Sequence, residues 1–385
     1  MRTTTSEMMR IESDGDQDSG LSRQRGMESF VSVRRLIAAS LAWMLFFLSG
    51  VSGAYAQRNV PVLPQFSPEQ VDASVERALA FLASQQTDEG AWRTEAWGES
   101  TAITSLAVMS FLAAGYLPDE GPYGERITRG IRWVIRQQQP NGMLVVRSQS
   151  HGPMYDHGIC TLMLAEVSGM MRGADERVVR RSLEKATLLI LESQAVRKQN
   201  RHEGGWRYQV DSRDSDLSVT GWQVMALRAA KDIGCDVPAE AIDFAIEYVK
   251  ECSDQNQKGF GYQPGNGATP TMTGTGITCL EVCGAHRTEE ALAGANFLLT
   301  RPLREQTPYF YYGVYYTGVG MFKIGEEFAE ATHQHLVSTL LPIQQADGGW
   351  NPIHGSERQA GRIYSTSMSV LALTVEYRYL PIYQR

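Results

Sequence analysis

The chain has 385 residues, 43% of them hydrophobic, and a formal net charge of −7. That length supports a sizeable core, and a mildly acidic chain without basic runs argues against nucleic-acid binding and against electrostatic docking on anionic lipid. The five cysteines (Cys160, Cys235, Cys252, Cys279 and Cys283) form no metal-like CxxC pair. Cys279 and Cys283 stand one helical turn apart, which suits packing better than bridging. All five read as small buried hydrophobes, though an odd count in an exported chain leaves at least one thiol free or intermolecular.

In chain order, the first 56 residues read as a leader. Arg34-Arg35 precede the apolar run Leu36–Leu48, and Ala54-Tyr55-Ala56 puts small residues where a signal peptidase reads. Cleavage near Ala56, before Gln57, and export to the periplasm or medium are the expectation. The residues ahead of Met27 are polar and acidic, unlike the start of a signal peptide, so Met27 is the expected true start. Left uncleaved, the leader would be the one route to membrane association, although its apolar run falls short of the ~20 residues of a spanning helix. Six arginines and six acids lie in the leader, so its removal leaves the net charge at −7.

Residues 57–67 are a Pro-rich linker. From Pro68 helices alternate with loops, and no strand pattern appears. The first pair is Val71–Gln86 with Thr101–Ala114, joined by a turn ending Gly90-Ala91-Trp92. The second is Glu125–Gln138 with Tyr155–Gly169, joined through Asn141-Gly142. The third is a helix ending near Gln194, the turn Gly204-Gly205-Trp206, and the helix Val219–Ala230. Then come Ala239–Cys252 with Thr271–Gly284, Glu289–Leu299 with the aromatic helix Tyr309–Ile324, and Glu327–Gln345 with Tyr364–Tyr377 after Gly348-Gly349-Trp350. Six hairpins at a spacing of about fifty residues mark a repeat architecture. A glycine just past a helix ends it in the left-handed conformation, and the aromatic that follows covers the hairpin end. The first helix of each pair is amphipathic and the second small and apolar, as expected of an outer and an inner wall. The predicted fold is all-α, a single (α/α)6 toroid over residues 68–383 that closes on itself and so needs no caps.

The recurring pattern is a basic residue, a small residue, an aromatic-aliphatic run, Gln and then Gly-x-Trp. Arg129-Gly130 with Trp133, Gln137 and Gly142 carries it, as do Lys185-Ala186 with Gln194, Gly204 and Trp206, and Gln86 with Gly90 and Trp92; Gln344 to Trp350 repeats its end. It resembles the repeat of squalene–hopene cyclases and related triterpene cyclases. The resemblance implies the α/α toroid that these cyclases share with protein prenyltransferase β subunits, and it implies no activity by itself.

In such a toroid the inner helices run parallel, so their N-termini gather at one mouth. Asp214-Ser215-Asp216 resembles the start of the cyclase motif Asp-x-Asp-Asp-Thr, whose middle acid protonates an alkene, with Leu217 in place of the third acid. Asp216 fits equally a helix N-cap. Tyr155, Asp156 and His157 offer an acid and a general acid/base at another helix start, or a cap beside a structural histidine. Tyr309, Tyr312 and Tyr316 share one helical face; with Trp222 and Tyr364 they would wall a cavity for a hydrophobic small molecule, an isoprenoid or lipid, or else fill a wide barrel. Ser218 and Ser365 stand where the zinc-binding Cys and His of prenyltransferases would fall, so no metal or other cofactor is implied. Three readings remain: a protonation-initiated enzyme on an isoprenoid, a non-catalytic toroid that binds a lipid or protein, and a glycan-active six-hairpin enzyme.

Overall fold

The computed structural model describes residues 65–146 and 152–384, with nothing said of the Ser356 side chain. Of two units in the chain, Met1–Val62 lies outside the described residues, and with it the leader, Met27, the cleavage site and most of the 57–67 linker; the other spans Leu63–Arg385. Its outer helices are α1 (Pro68–Ser84), α3 (Gly124–Arg136), α5 (Gly173–Ala195), α7 (Ala239–Glu251), α9 (Glu289–Thr300) and α11 (Glu326–Leu340). Its inner helices are α2 (Thr101–Ala113), α4 (Met154–Val167), α6 (Leu217–Asp232), α8 (Pro270–Val282), α10 (Phe310–Ile324) and α13 (Arg362–Leu373), the last preceded by a short α12 (Gly355–Ala360). Around the inner ring α2 packs on α4, α4 on α6, α6 on α8, α8 on α10, α10 on α13, and α13 back on α2. The ring is closed, an all-α toroid.

The division into walls follows composition. Every residue of α2 is buried, consistent with its uniformly small and apolar sequence. In α3 only one side is buried, through Ile127, Gly130, Ile131, Trp133 and Val134. Strand structure among the described residues is confined to two antiparallel two-residue pairs, Arg93–Thr94 with Gly98–Glu99 and Ser253–Asp254 with Gly259–Phe260.

Four of the six hairpin turns share one construction. Gly90, Gly142, Gly204 and Gly348 have φ between 86° and 99°. A Cβ at any of them would run into the backbone carbonyl of Arg129, Lys185, Phe244 or Arg77 on the next outer helix, so glycine is required twice over. A glutamine amide then stitches each turn to that helix. Gln86 Nε2 donates to Gly90 O and Arg126 O, Gln138 to Gly142 O and Ser182 O, Gln194 to Gly204 O and Ala241 O, and Gln344 to Gly348 O and Ser74 O, all between 2.8 and 3.0 Å. The last stitch joins the sixth hairpin to the first and seals the ring. Trp92, Trp206 and Trp350 are fully buried beneath these turns. Their indole N–H groups donate to Leu82 O, Ile190 O and Leu340 O at 2.7–2.9 Å, satisfying carbonyls near the outer helix end.

The barrel axis is filled. Trp222 of α6 stacks on Tyr315 of α10 with ring centroids 5.4 Å apart, and Tyr312 and Tyr316 meet it edge-on. α6 and α10 are not ring neighbours; their side chains reach each other past the glycines and threonines of α8. At the far end the C-terminal segment folds in, burying Leu380, Ile382 and Tyr383, and Ile382 N–H donates to Glu166 Oε2 at 3.3 Å. All five cysteines are free, and four of them are buried.

Candidate functional site at the mouth

In five of the six hairpins the N–H of the residue closing the turn finds an acceptor in the first turn of the inner helix. Trp92, Trp206, Phe260 and Trp350 donate to the hydroxyls of Thr104, Thr220, Thr273 and Thr366, each at 3.0 Å. In the second hairpin Leu144 N–H donates to His157 Nδ1 at 3.2 Å, so the proton sits on Nε2, which donates to Ala186 O at 3.0 Å. His157 therefore stands in the place of the repeat threonine, with both ring nitrogens engaged. Burial pushes it down to about 4, and it stays neutral. His157 has the geometry of a structural histidine, but Asp156 beside it is not a cap: the N-cap of α4 is Pro153, and no side chain caps that helix. Asp156 is fully buried, neither carboxyl oxygen has a hydrogen-bond partner, and burial raises it well above the usual carboxylate range.

The residues that converge lie around the start of α6. Asp216 is the N-cap of that helix and is fully buried. Its Oδ1 accepts from Val219 N–H at 2.9 Å and from the Ser218 hydroxyl at 2.6 Å, while Oδ2 faces Arg207 Nε at 3.8 Å. Capping and burial thus coexist in one residue. Burial lifts its carboxyl above the ordinary aspartate value, against the opposing pull of Ser218, Val219, Arg207 and Tyr262. Asp214 is not buried with it: it lies half-exposed and pairs with Arg207 Nη1 at 2.6 Å.

Tyrosines surround this carboxyl. The Tyr155 hydroxyl bonds to Ser218 Oγ, and Tyr312 Oη donates to Ser218 O at 2.9 Å. Tyr155 stacks on Tyr208 at 6.1 Å, the hydroxyls of Tyr208 and Tyr262 bond to each other, and the Arg207 guanidinium lies 4.9 Å from the Tyr208 ring centroid and 5.9 Å from that of Tyr262. Leu217 N–H donates to Tyr262 O at 2.9 Å, which fixes the following loop beside the mouth.

Three of the aromatic residues expected to face a cavity are placed elsewhere. Tyr309 does not share the face of Tyr312 and Tyr316: it precedes α10 in the left-handed conformation, φ 56°, and is exposed. Trp222 and Tyr316 belong to the packed axis. Tyr364, on α13, is half-buried, within electrostatic reach of Tyr155 and Glu357.

Glu357 was not legible as a site residue. It sits on α12 and is 3% exposed, and its Oε1 accepts from Tyr312 N–H at 3.2 Å. The N–H groups of Tyr311 and Phe310 also stabilise its charge, so it caps α10 from another hairpin. Oε2 has no hydrogen-bond partner. Burial outweighs the amides and raises the carboxyl to about 7. Arg207, Tyr208 and Tyr262 were missed as well. The repeat itself held the signal: each lies two or so residues past a junction aromatic, at the mouth.

The prenyltransferase alpha-alpha toroid domain model matches residues 17–145, 131–309 and 311–381. The chain belongs to that family. Among solved structures it is similar to the type II terpene cyclase MstE from Scytonema in complex with geranylgeranyl dihydroxybenzoate, at 13% identity and TM-score 0.55 over 81% of this chain and 98% of that one. It is similar also to the GH76A alpha-1,6-mannanase of Salegentibacter sp. HEL1_6, at 10% identity and TM-score 0.59 over 79% and 99%. A glycosidase in complex with glucose matches at 13% identity and TM-score 0.55 over 82% and 100%. At these identities the likeness is one of fold. No curated protein matches the chain.

Proposed function

We propose that the mouth of this toroid binds an isoprenoid or a similar lipid and that Asp216 is the group placed to give it a proton. One observation carries the reading: a fully buried carboxyl at the start of α6, fixed through Oδ1 and walled by Tyr155, Tyr208, Tyr262 and Tyr312. An acid raised by burial holds its proton closer to neutral pH, as a general acid requires. Phenol faces suit a developing carbocation. The geranylgeranyl substrate of the MstE complex supports an isoprenoid of that kind. With the axis filled by Trp222, Tyr312, Tyr315 and Tyr316, a bound chain lies at the mouth, which favours a short prenyl chain over squalene. Leu217 in the third acid position also argues against squalene cyclisation. No cofactor is needed, which accords with export after cleavage near Ala56, itself part of this proposal.

A second reading, glycan cleavage, draws on the mannanase likeness and on Glu357 as a second buried carboxyl. Mass spectrometry of small molecules extracted from the purified protein separates the two. The expected result is a retained prenyl lipid. A retained oligosaccharide, or release of reducing sugar from an alpha-1,6-mannan, would favour the glycan reading instead.

A further inference from the structure

Asp216 and Glu357 face the mouth from different hairpins, and their surroundings differ. Asp216 has Oδ1 engaged by Val219 and Ser218, while its Oδ2 has no hydrogen-bond partner but faces the Arg207 guanidinium, whose Nε lies 3.8 Å away. Glu357 has only Oε1 engaged, by the first amides of α10. Its Oε2 is buried with no hydrogen-bond partner, and among the described residues no cation pairs with it. A buried acceptor is normally satisfied, so this oxygen is an unfilled demand for a hydrogen-bond donor. The two carboxyls are joined by a continuous path: Tyr312 donates its N–H to Glu357 and its hydroxyl to Ser218 O, and Ser218 Oγ donates to Asp216. Tyr364, half-buried, lies within electrostatic reach of both Glu357 and Tyr155, so the carboxyl adjoins the same tyrosine wall.

We propose that the mouth is a two-carboxyl site in which Glu357 Oε2 takes the hydrogen-bond-donating head group, a hydroxyl or an ammonium, of the molecule whose chain lies on the tyrosines over Asp216. The inference rests on the isoprenoid reading above and adds to it the chemistry of one end of the ligand. A carboxyl raised to about 7 stands near the midpoint of its titration at neutral pH, and so accepts from a hydroxyl or pairs with an ammonium without the full cost of burying a permanent charge.

The test uses the whole chain and three probes of equal chain length: geranylgeraniol, geranylgeranylamine and the matching hydrocarbon without a head group. Affinities are measured for the wild type and for Glu357→Gln, with thermal melting to establish that the variant is folded. The expected result is that at least one head-grouped probe binds the wild type tenfold or more tightly than the hydrocarbon. Glu357→Gln should abolish an advantage of the amine and reduce one of the alcohol severalfold, leaving hydrocarbon affinity unchanged. Which probe gains tells hydroxyl from ammonium. Equal affinity for all three probes, or an advantage that survives Glu357→Gln undiminished, overturns the head-group assignment and leaves the isoprenoid reading standing. Failure of all three to bind overturns both. Should Glu357→Gln not fold, Tyr364→Phe and Tyr155→Phe serve in its place: both should weaken all three probes alike while the head-group advantage persists, and loss of that advantage in either would move the assignment from the carboxyl to a phenol.

Discussion

The ring has two kinds of arc. In hairpins one, two, three and six a glycine, a glutamine and, in three of them, a tryptophan stitch each turn to the next outer helix. In hairpins four and five that device is gone. Phe260 fills the tryptophan place in the fourth: it keeps the N–H bond to Thr273 but has no indole donor, and the paired strands Ser253–Asp254 and Gly259–Phe260 hold the turn instead. In the fifth, neighbours do the sealing. Thr271 Oγ1 donates to Pro308 O at 2.9 Å, His354 Nε2 to Glu305 O at 2.9 Å, and Glu357 caps α10. The stitched arc therefore carries stability in local, repeated pieces, whereas the unstitched arc depends on side chains lent by other hairpins. Tyr262, Tyr312 and the N-terminus that Glu357 caps all belong to the unstitched arc.

The largest predicted effect is in the stitched arc. Trp206→Ala removes a fully buried ring and an indole bond to Ile190 O and should cost ~3–5 kcal/mol, read by denaturant melting. Trp206→Phe copies the fourth hairpin and should cost less, ~1–3 kcal/mol for a carbonyl left unpaired. No measurable cost for Trp206→Phe would mean that the indole bond contributes nothing and that the two arcs are built alike.

Next comes the pH dependence of the borrowed cap. Glu357 titrates near 7 in the fold against an ordinary 4.5, so its contribution is fully present below pH 4.5 and is lost as pH rises through 7. That corresponds to ~3 kcal/mol across the window. The melting temperature of the wild type should fall between pH 5 and 8 relative to Glu357→Gln; parallel profiles would place the carboxyl in a more polar setting than the structure gives it.

Smaller again is the loss of one stitch. Gln194→Ala leaves Gly204 O and Ala241 O without their donor and should cost ~1–3 kcal/mol. Gln257→Ala in the fourth hairpin, where the residue is exposed and makes no such bond, should lie within ~0.5 kcal/mol of wild type. Similar losses at both positions would erase the distinction between the arcs.

Much of this was legible beforehand, because the stitched turns announce themselves. The glycine, glutamine and tryptophan are each required by a local geometry that repeats, so the toroid and its outer and inner walls could be read from spacing alone. Asp216 was legible too, as both a cap and a buried acid, since a polar residue at an inner-helix start is ambiguous only about burial. Glu357 was not, because its role depends on a helix from another hairpin, and no local pattern reports a contact between residues 45 apart. Tyr309 misled for a related reason. Its periodicity with Tyr312 and Tyr316 presumes a helix, and the chain turns left-handed one residue before that helix begins. His157 carried the chemistry of a general base in sequence, and only its hydrogen bond to Leu144 N–H, matching those of Thr104, Thr220, Thr273 and Thr366 in other hairpins, puts it in the place of the repeat threonine.

A small structural effect accompanies the most direct functional test. Asp216→Asn keeps the capping acceptor for Val219 and should leave stability within ~1 kcal/mol of wild type. Incubated in heavy water with a geranylgeranyl substrate, the wild type should place deuterium on the prenyl chain, and Asp216→Asn should lower that incorporation by two orders of magnitude or more. Incorporation that is absent from the wild type, or undiminished in a folded Asp216→Asn variant, would contradict the assignment of Asp216 as the proton donor of the mouth.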